Sequence, residues 1–106
     1  MKVNWKRPSK YKNTPTHVDG WRFDSKREAT RYSDLKMLKE FGEIEFFLRQ
    51  VPFHLPGNIK YIVDFVIFWK DGRVTFEDVK GMETDTFKLK KKLVEDVYPV
   101  EIDIKK

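Results

Sequence analysis

The sequence predicts a small α/β or α+β domain in the order helix, three strands, helix, strand. Three observations predict it. Two stretches repeat their apolar residues with helical spacing, strand-like runs separated by turn residues lie between them, and an alternating Val/Ile segment follows the last proline. At 106 residues, 40% hydrophobic and 15% aromatic, the chain can bury one modest core and reads as a single domain, 1–106. It has no internal repeat, low-complexity tract or linker.

Residues 1–15 read as an extended basic arm, interrupted by Pro8 and Pro15. Thr16 to Phe23 reads as a small hairpin about Asp19-Gly20, a pair suited to a tight turn. Asp24-Ser25 opens the first helix, which runs to about Phe41 and stops at Gly42. Its apolar stripe is Tyr32, Leu35 and Leu38, flanked by Ala29 and Met37. Glu43 to Leu55 follows as a strand, which Pro52 confines to an edge or a bend because proline has no amide to donate. Pro56-Gly57-Asn58 turns the chain into Tyr61–Trp69, and Lys70-Asp71-Gly72 turns that strand into Arg73–Gly81. Thr84 or Asp85 caps a second helix that runs to about Tyr98, with Leu89, Leu93 and Val97 as its core stripe and Val94 beside it. Pro99 ends it, and Val100 to Ile104 alternates apolar and acidic residues as a last strand.

Asp64 interrupts the apolar run Tyr61-Ile-Val-Asp-Phe-Val-Ile-Phe-Trp69. A carboxylate among such neighbours should lie partly out of water, where an unpaired charge is unstable. The next strand carries Glu77, Asp78 and Lys80. Alternation puts Val74, Phe76, Asp78 and Lys80 on one face and Thr75, Glu77 and Val79 on the other. Antiparallel pairing about the turn sets Asp64 opposite the Asp78–Lys80 end, so three charged side chains converge. Hard oxygen donors such as Asp64 and Asp78 suit Mg²⁺, with Mn²⁺ as a substitute, facing a phosphodiester. The competing reading is a surface Asp78–Lys80 pair with Asp64 bonded to a backbone amide, which leaves the acid in an apolar strand without a reason. Glu28 also has two readings. Ser25-x-x-Glu28 is a capping box, yet Glu28 also lies four and seven residues before Tyr32 and Leu35, on the buried stripe, where it can point into a site on the sheet.

The net charge of +5, from 22 basic and 17 acidic residues, is unevenly spread. Lys2, Lys6, Arg7, Lys10 and Lys12 are interleaved with Trp5 and Tyr11, and Lys88, Lys90, Lys91 and Lys92 fall on the second helix. Basic segments with aromatics suit a phosphate backbone and unstacked bases, and a solvated tail and helix face are the plain alternative. The absence of cysteine excludes disulfides, thiolate zinc sites and cysteine nucleophiles, and His17 and His54 are the only imidazoles. No apolar stretch approaches a membrane span and no signal-peptide pattern opens the chain, so a cytoplasmic protein without a membrane partner is expected.

The stretch Val18-Asp-Gly-Trp-Arg-Phe-Asp-Ser-Lys-Arg-Glu-Ala-Thr-Arg-Tyr32, with Gly42-Glu-Ile44, Leu48-Arg-Gln-Val-Pro52, Tyr61-Ile-Val-Asp-Phe65 and Glu77-Asp-Val-Lys-Gly81, resembles a family of small phage-encoded proteins of the PD-(D/E)XK nuclease superfamily. That family is similar to phage nicking endonucleases and Holliday-junction-resolving enzymes, and the likeness spans nearly the whole chain. It implies a restriction-endonuclease-like core, a mixed sheet flanked by two helices, and action in the host cytoplasm. It also implies Glu28 as the acid of the first helix, Asp64 as the aspartate of the first motif strand, and Asp78 and Lys80 as the acid and lysine of the second. Val63 stands where the superfamily usually has proline. Gln50 falls at a family-like position, as a site residue or as a buried amide serving the backbone.

The activity expected is that of a Mg²⁺-dependent endodeoxyribonuclease that nicks DNA or cuts branched DNA. Asp64, Asp78 and Glu28 would hold the ion, and Lys80 would orient water and stabilise the transition state. Lys6, Arg7, Lys10, Lys12, Lys88, Lys91 and Lys92 would grip flanking phosphates, on a monomer making single cuts or a homodimer making paired ones. The rival is a non-catalytic nucleic-acid-binding accessory protein of phage replication or recombination. Glu77, facing away by parity, is expected to be dispensable for cleavage.

Overall fold

The computed structural model describes residues 15–106. Lys6, Arg7, Lys10 and Lys12 of the predicted basic arm lie outside the described residues. The elements run β1 (Thr16–Val18), β2 (Trp21–Phe23), α1 (Lys26–Glu40), β3 (Ile44–Leu55), β4 (Ile59–Trp69), β5 (Val74–Val79), α2 (Asp85–Val97) and β6 (Ile102–Lys105). β1 and β2 form a two-stranded sheet, and the main sheet has the order β3-β4-β5-β6. The first three strands are antiparallel neighbours and β6 joins β5 in parallel, as a strand arriving by way of a helix can do. This is the mixed α+β architecture read from the sequence, with Pro52 on the edge strand. No helix among the described residues is long and apolar enough to cross a membrane.

Local chemistry sets the element ends. The Asp19-Gly20 turn takes positive φ at both residues, 53° and 79°, as a two-residue hairpin turn requires. The Ser25 hydroxyl accepts the Glu28 amide at 3.2 Å to start α1, and the Thr84 hydroxyl accepts the Phe87 amide at 3.1 Å to start α2. Gly42, at φ 80°, stops α1 after Phe41.

Each helix covers one face of the sheet over its own core. Ala29, Tyr32 and Leu35 of α1 pack with Phe23 on Ile44, Phe65, Ile67 and Val79. Val94 of α2 packs on Leu55, Tyr61, Val63, Val66 and Ile102. Two expectations need correction. Met37 is exposed rather than flanking the core of α1, and Val94 is the buried residue of α2, with Phe87, Leu93 and the capping Tyr98 half-buried against the core and Leu89 and Val97 exposed. The cause is where the ends of α2 are tied. Phe87 docks beside Tyr61 at 6.1 Å between ring centroids and Tyr98 beside Phe53 at 5.1 Å, which turns the Leu89–Val97 line outward.

Candidate active site

The site begins as a break in strand alternation. Phe65 and Ile67 of β4 face α1, while Val63 and Tyr61 face α2, so the inward direction changes sides at Asp64. On β3 the same change separates Phe47 from Val51 and Phe53. The rungs Arg49↔Phe65 and Val51↔Val63 bracket Gln50 and Asp64, and Gln50 holds a left-handed φ of 52°. A non-glycine residue in that region inside a strand is strained by roughly 1–3 kcal/mol, and such strain concentrates at functional positions. Both strands twist over at the rung that carries the buried acid. This is why apolar residues flank Asp64 on each side: β4 is the inner strand of two cores.

On the far side of Asp64 the β4–β5 ladder ends. Its last rung is Phe65↔Glu77, and beyond it side chains replace backbone pairing. The Asp64 amide donates to Asp78 Oδ1 at 2.9 Å, and the Val79 amide donates to Asp64 Oδ2 at 2.9 Å. The strands part as a fork whose two amides are each held by the other strand's carboxylate. Asp78 Oδ2 accepts the Tyr61 hydroxyl. Asp64 and Asp78 are 9% and 1% exposed. Burial raises both carboxyl pKa values, opposed in each case first by the backbone donor and then by the charge of Lys80.

Glu28 completes the group from α1. The Ser25 hydroxyl takes the Glu28 amide, but the Glu28 carboxylate does not return to Ser25; it accepts from Gln50 Nε2 at 3.0 Å. The same Nε2 donates to Asp64 Oδ1 at 3.2 Å. One neutral amide therefore bridges two buried carboxylates from different elements, and Glu28 is 6% exposed. Burial, and then the nearby charge of Asp64, pushes the Glu28 carboxyl up to about 7, against the pull of Arg49 and Lys80. Arg49 Nη2 lies 3.8 Å from Glu28 Oε2. Lys80 acts on all three acids, with its Nζ 5.0 Å above the centre of the Phe87 ring.

Glu28, Asp64 and Asp78 thus come to one fork as a chain of contacts rather than a single cage, and Lys80 acts on all three through its charge. Among the described residues no group of three or more His, Asp or Glu is gathered closely enough to hold a metal by itself. The competing sequence reading also has its counterpart, since Asp64 does accept a backbone amide. Glu77 lies on the α1 face, and Arg31 takes both of its oxygens at 2.7 Å. Lys88 and Lys92 are exposed, whereas Lys91 is half-buried and paired with Glu95 at 3.0 Å.

Sequence reasoning left Gln50 open and passed over Arg49 and Asp24. Arg49 carried a signal, a charge inside an apolar strand. Asp24 was read only as part of a helix start, yet its charge raises the pKa of both Glu28 and Asp64. The electrostatics give a pH test. Glu28 is more basic folded than its ordinary 4.5, so its contribution to stability is complete below that value and is lost as pH rises through about 7. Glu28→Gln is expected to flatten the fall in thermal midpoint over that interval in a chelating buffer. Parallel wild-type and variant curves would show that Glu28 is not held in a charge-averse setting.

No curated protein and no solved structure matches the chain. A family model does match, over residues 8–105, nearly all of the sequence. The chain belongs to the family described as "Protein of unknown function (DUF1064)".

Proposed function

We propose that the protein is a metal-dependent endonuclease that hydrolyses phosphodiester bonds in DNA by single-strand cuts. The observation that carries this reading is the buried pair Glu28 and Asp64, bridged by one Gln50 amide at 3.0 and 3.2 Å, with Lys80 beside it. A purely structural arrangement has little reason to hold two desolvated acids together at the cost of a strained backbone. The likeness of the same residues to the PD-(D/E)XK superfamily supports the reading.

The donor set fits Mg²⁺. Glu28 and Asp64 supply hard carboxylate oxygens, and Mg²⁺ is typically held by one or two carboxylates together with water and substrate phosphate. Burial first, and the charge of Asp64 second, raise the Glu28 pKa, and a cation between the two acids would favour their ionised forms. When bound, Mg²⁺ supplies positive charge to the phosphoryl oxygens and makes a neighbouring water more acidic. The chain's own residues do the rest. The Val79 amide and Gln50 fix the two oxygens of Asp64, Asp78 keeps the fork open at the Asp64 amide, and Lys80 offers a point charge to the phosphate as negative charge builds there.

Incubation of supercoiled plasmid with the protein is expected to yield nicked circles with Mg²⁺ or Mn²⁺ and none with EDTA. DNA binding with no conversion under any metal would instead identify a binding module.

A further inference from the structure

Beside the acid pair, a cavity of about 870 Å³ opens between α1 and β3, lined by Trp21, Lys36, Lys39, Phe47, Arg49 and Gln50 among others. We propose that it holds an unpaired nucleotide of the DNA strand being cut, its base stacked on Trp21 and its phosphate beside Lys39 and Arg49. The inference rests on the nuclease reading and deepens it by assigning a subsite for one unpaired base beside the acid pair.

Trp21 is 56% exposed although the core residue Phe23 lies two positions along the same strand. Its ring is already held in place: the Arg49 guanidinium lies 5.3 Å from the Trp21 ring centre, 4.2 Å from Phe23 and 5.9 Å from Tyr32. Arg49 is in turn tied to Glu28 at 3.8 Å, so the aromatic platform and the acid site share one side chain. A platform of this kind takes any base through its π-face, provided that the base is free. Bases in a duplex are stacked and paired, and their faces are not available.

Charge favours a nucleic acid strand over an uncharged ligand. Lys36, Lys39 and Arg49 line the cavity against the single acid Glu40. Lys36 is engaged by Asp19. Lys39, in the last turn of α1, makes no salt bridge among the described residues and is free to meet a phosphate. Gln50 supplies continuity, because it both lines the cavity and donates to Glu28 and Asp64. A nucleotide in the cavity would leave its neighbouring phosphodiester at the fork.

The test is binding in EDTA, where no cleavage occurs, of a blunt duplex and of the same duplex bearing a short single-stranded flap. The wild type is expected to prefer the flap. Trp21→Ala should lose about fivefold to a hundredfold in flap affinity, the range for stacking of one base, with no loss on the blunt duplex, and Trp21→Phe should keep most of it. Lys39→Glu should weaken flap binding as well. A 2-aminopurine in the flap should be quenched on binding to the wild type, a readout that needs no variant. Equal affinity for the two DNAs, or an equal loss on both in Trp21→Ala, overturns the proposal. A flap preference with neither flap cleavage nor plasmid nicking under Mg²⁺ would leave the cavity assignment standing and remove the nuclease reading; cleavage without the preference would do the reverse.

Discussion

Asp64→Asn is expected to lower Mg²⁺-dependent nicking by at least about a thousandfold, the equivalent of roughly 4 kcal/mol of transition-state stabilisation. It should do so without unfolding the chain. The asparagine oxygen can still accept the Val79 amide that now bonds Asp64 Oδ2 at 2.9 Å, and Gln50 can turn its carboxamide to accept from the new NH₂, with a protonated Glu28 then donating to the same Gln50 oxygen. The variant also removes a charge that burial disfavours, so its thermal midpoint in EDTA should equal or exceed that of the wild type. Two readouts separate chemistry from folding. Mg²⁺ should raise the melting temperature of the wild type and leave that of Asp64→Asn unmoved, while DNA affinity in EDTA is kept. A variant that still nicks at wild-type rate, or still gains stability from Mg²⁺, would remove Asp64 from the centre of the site.

Asp78 makes a useful contrast. Its two oxygens are committed to the Asp64 amide and the Tyr61 hydroxyl, so its first effect is on the shape of the fork. Strand parity placed it near Asp64, and the register agrees, since continuing past Phe65↔Glu77 leads to the pair Asp64 and Asp78. Parity could not show that the ladder stops there and that the acids bond across the gap. Alternation rules assume a regular strand, and the twist at Gln50 and Asp64 departs from one. Glu28 was ambiguous for a related reason, because a helix N-terminus supports both a capping bond and an inward carboxylate, and only the position of Gln50 on another strand decides between them. Helix and strand boundaries were legible because Ser25, Gly42, Thr84 and Pro99 carry local signals. The packed face of α2 was not, since its tilt is set by Phe87 and Tyr98 docking on residues far away in sequence.

Glu77→Gln was expected to be harmless for cleavage because parity points Glu77 away from Asp78. The structure changes what that substitution tests. Glu77 is buried, and both of its oxygens accept from Arg31 at 2.7 Å, joining β5 to α1 one helical turn beyond Glu28. Removing one partner of a buried ion pair leaves the other charge desolvated, and the glutamine can satisfy only one of the two donors. Glu77→Gln is therefore expected to cost about 2–4 kcal/mol of stability, the lower part of that range reflecting the partial exposure of Arg31 and the nearby charge of Asp34. For a domain of this size the thermal midpoint should fall by roughly 10–25 °C. Replacing both residues with methionine should recover most of the loss, because an apolar pair of similar volume leaves no orphaned charge. Nicking by Glu77→Gln, measured well below its own midpoint, should remain near wild type, since neither Glu77 oxygen reaches the fork. A single variant as stable as the wild type would mean that the pair contributes little to docking α1. A folded variant without activity would instead mean that the seating of α1, and with it the reach of Glu28 toward Gln50, depends on this ion pair.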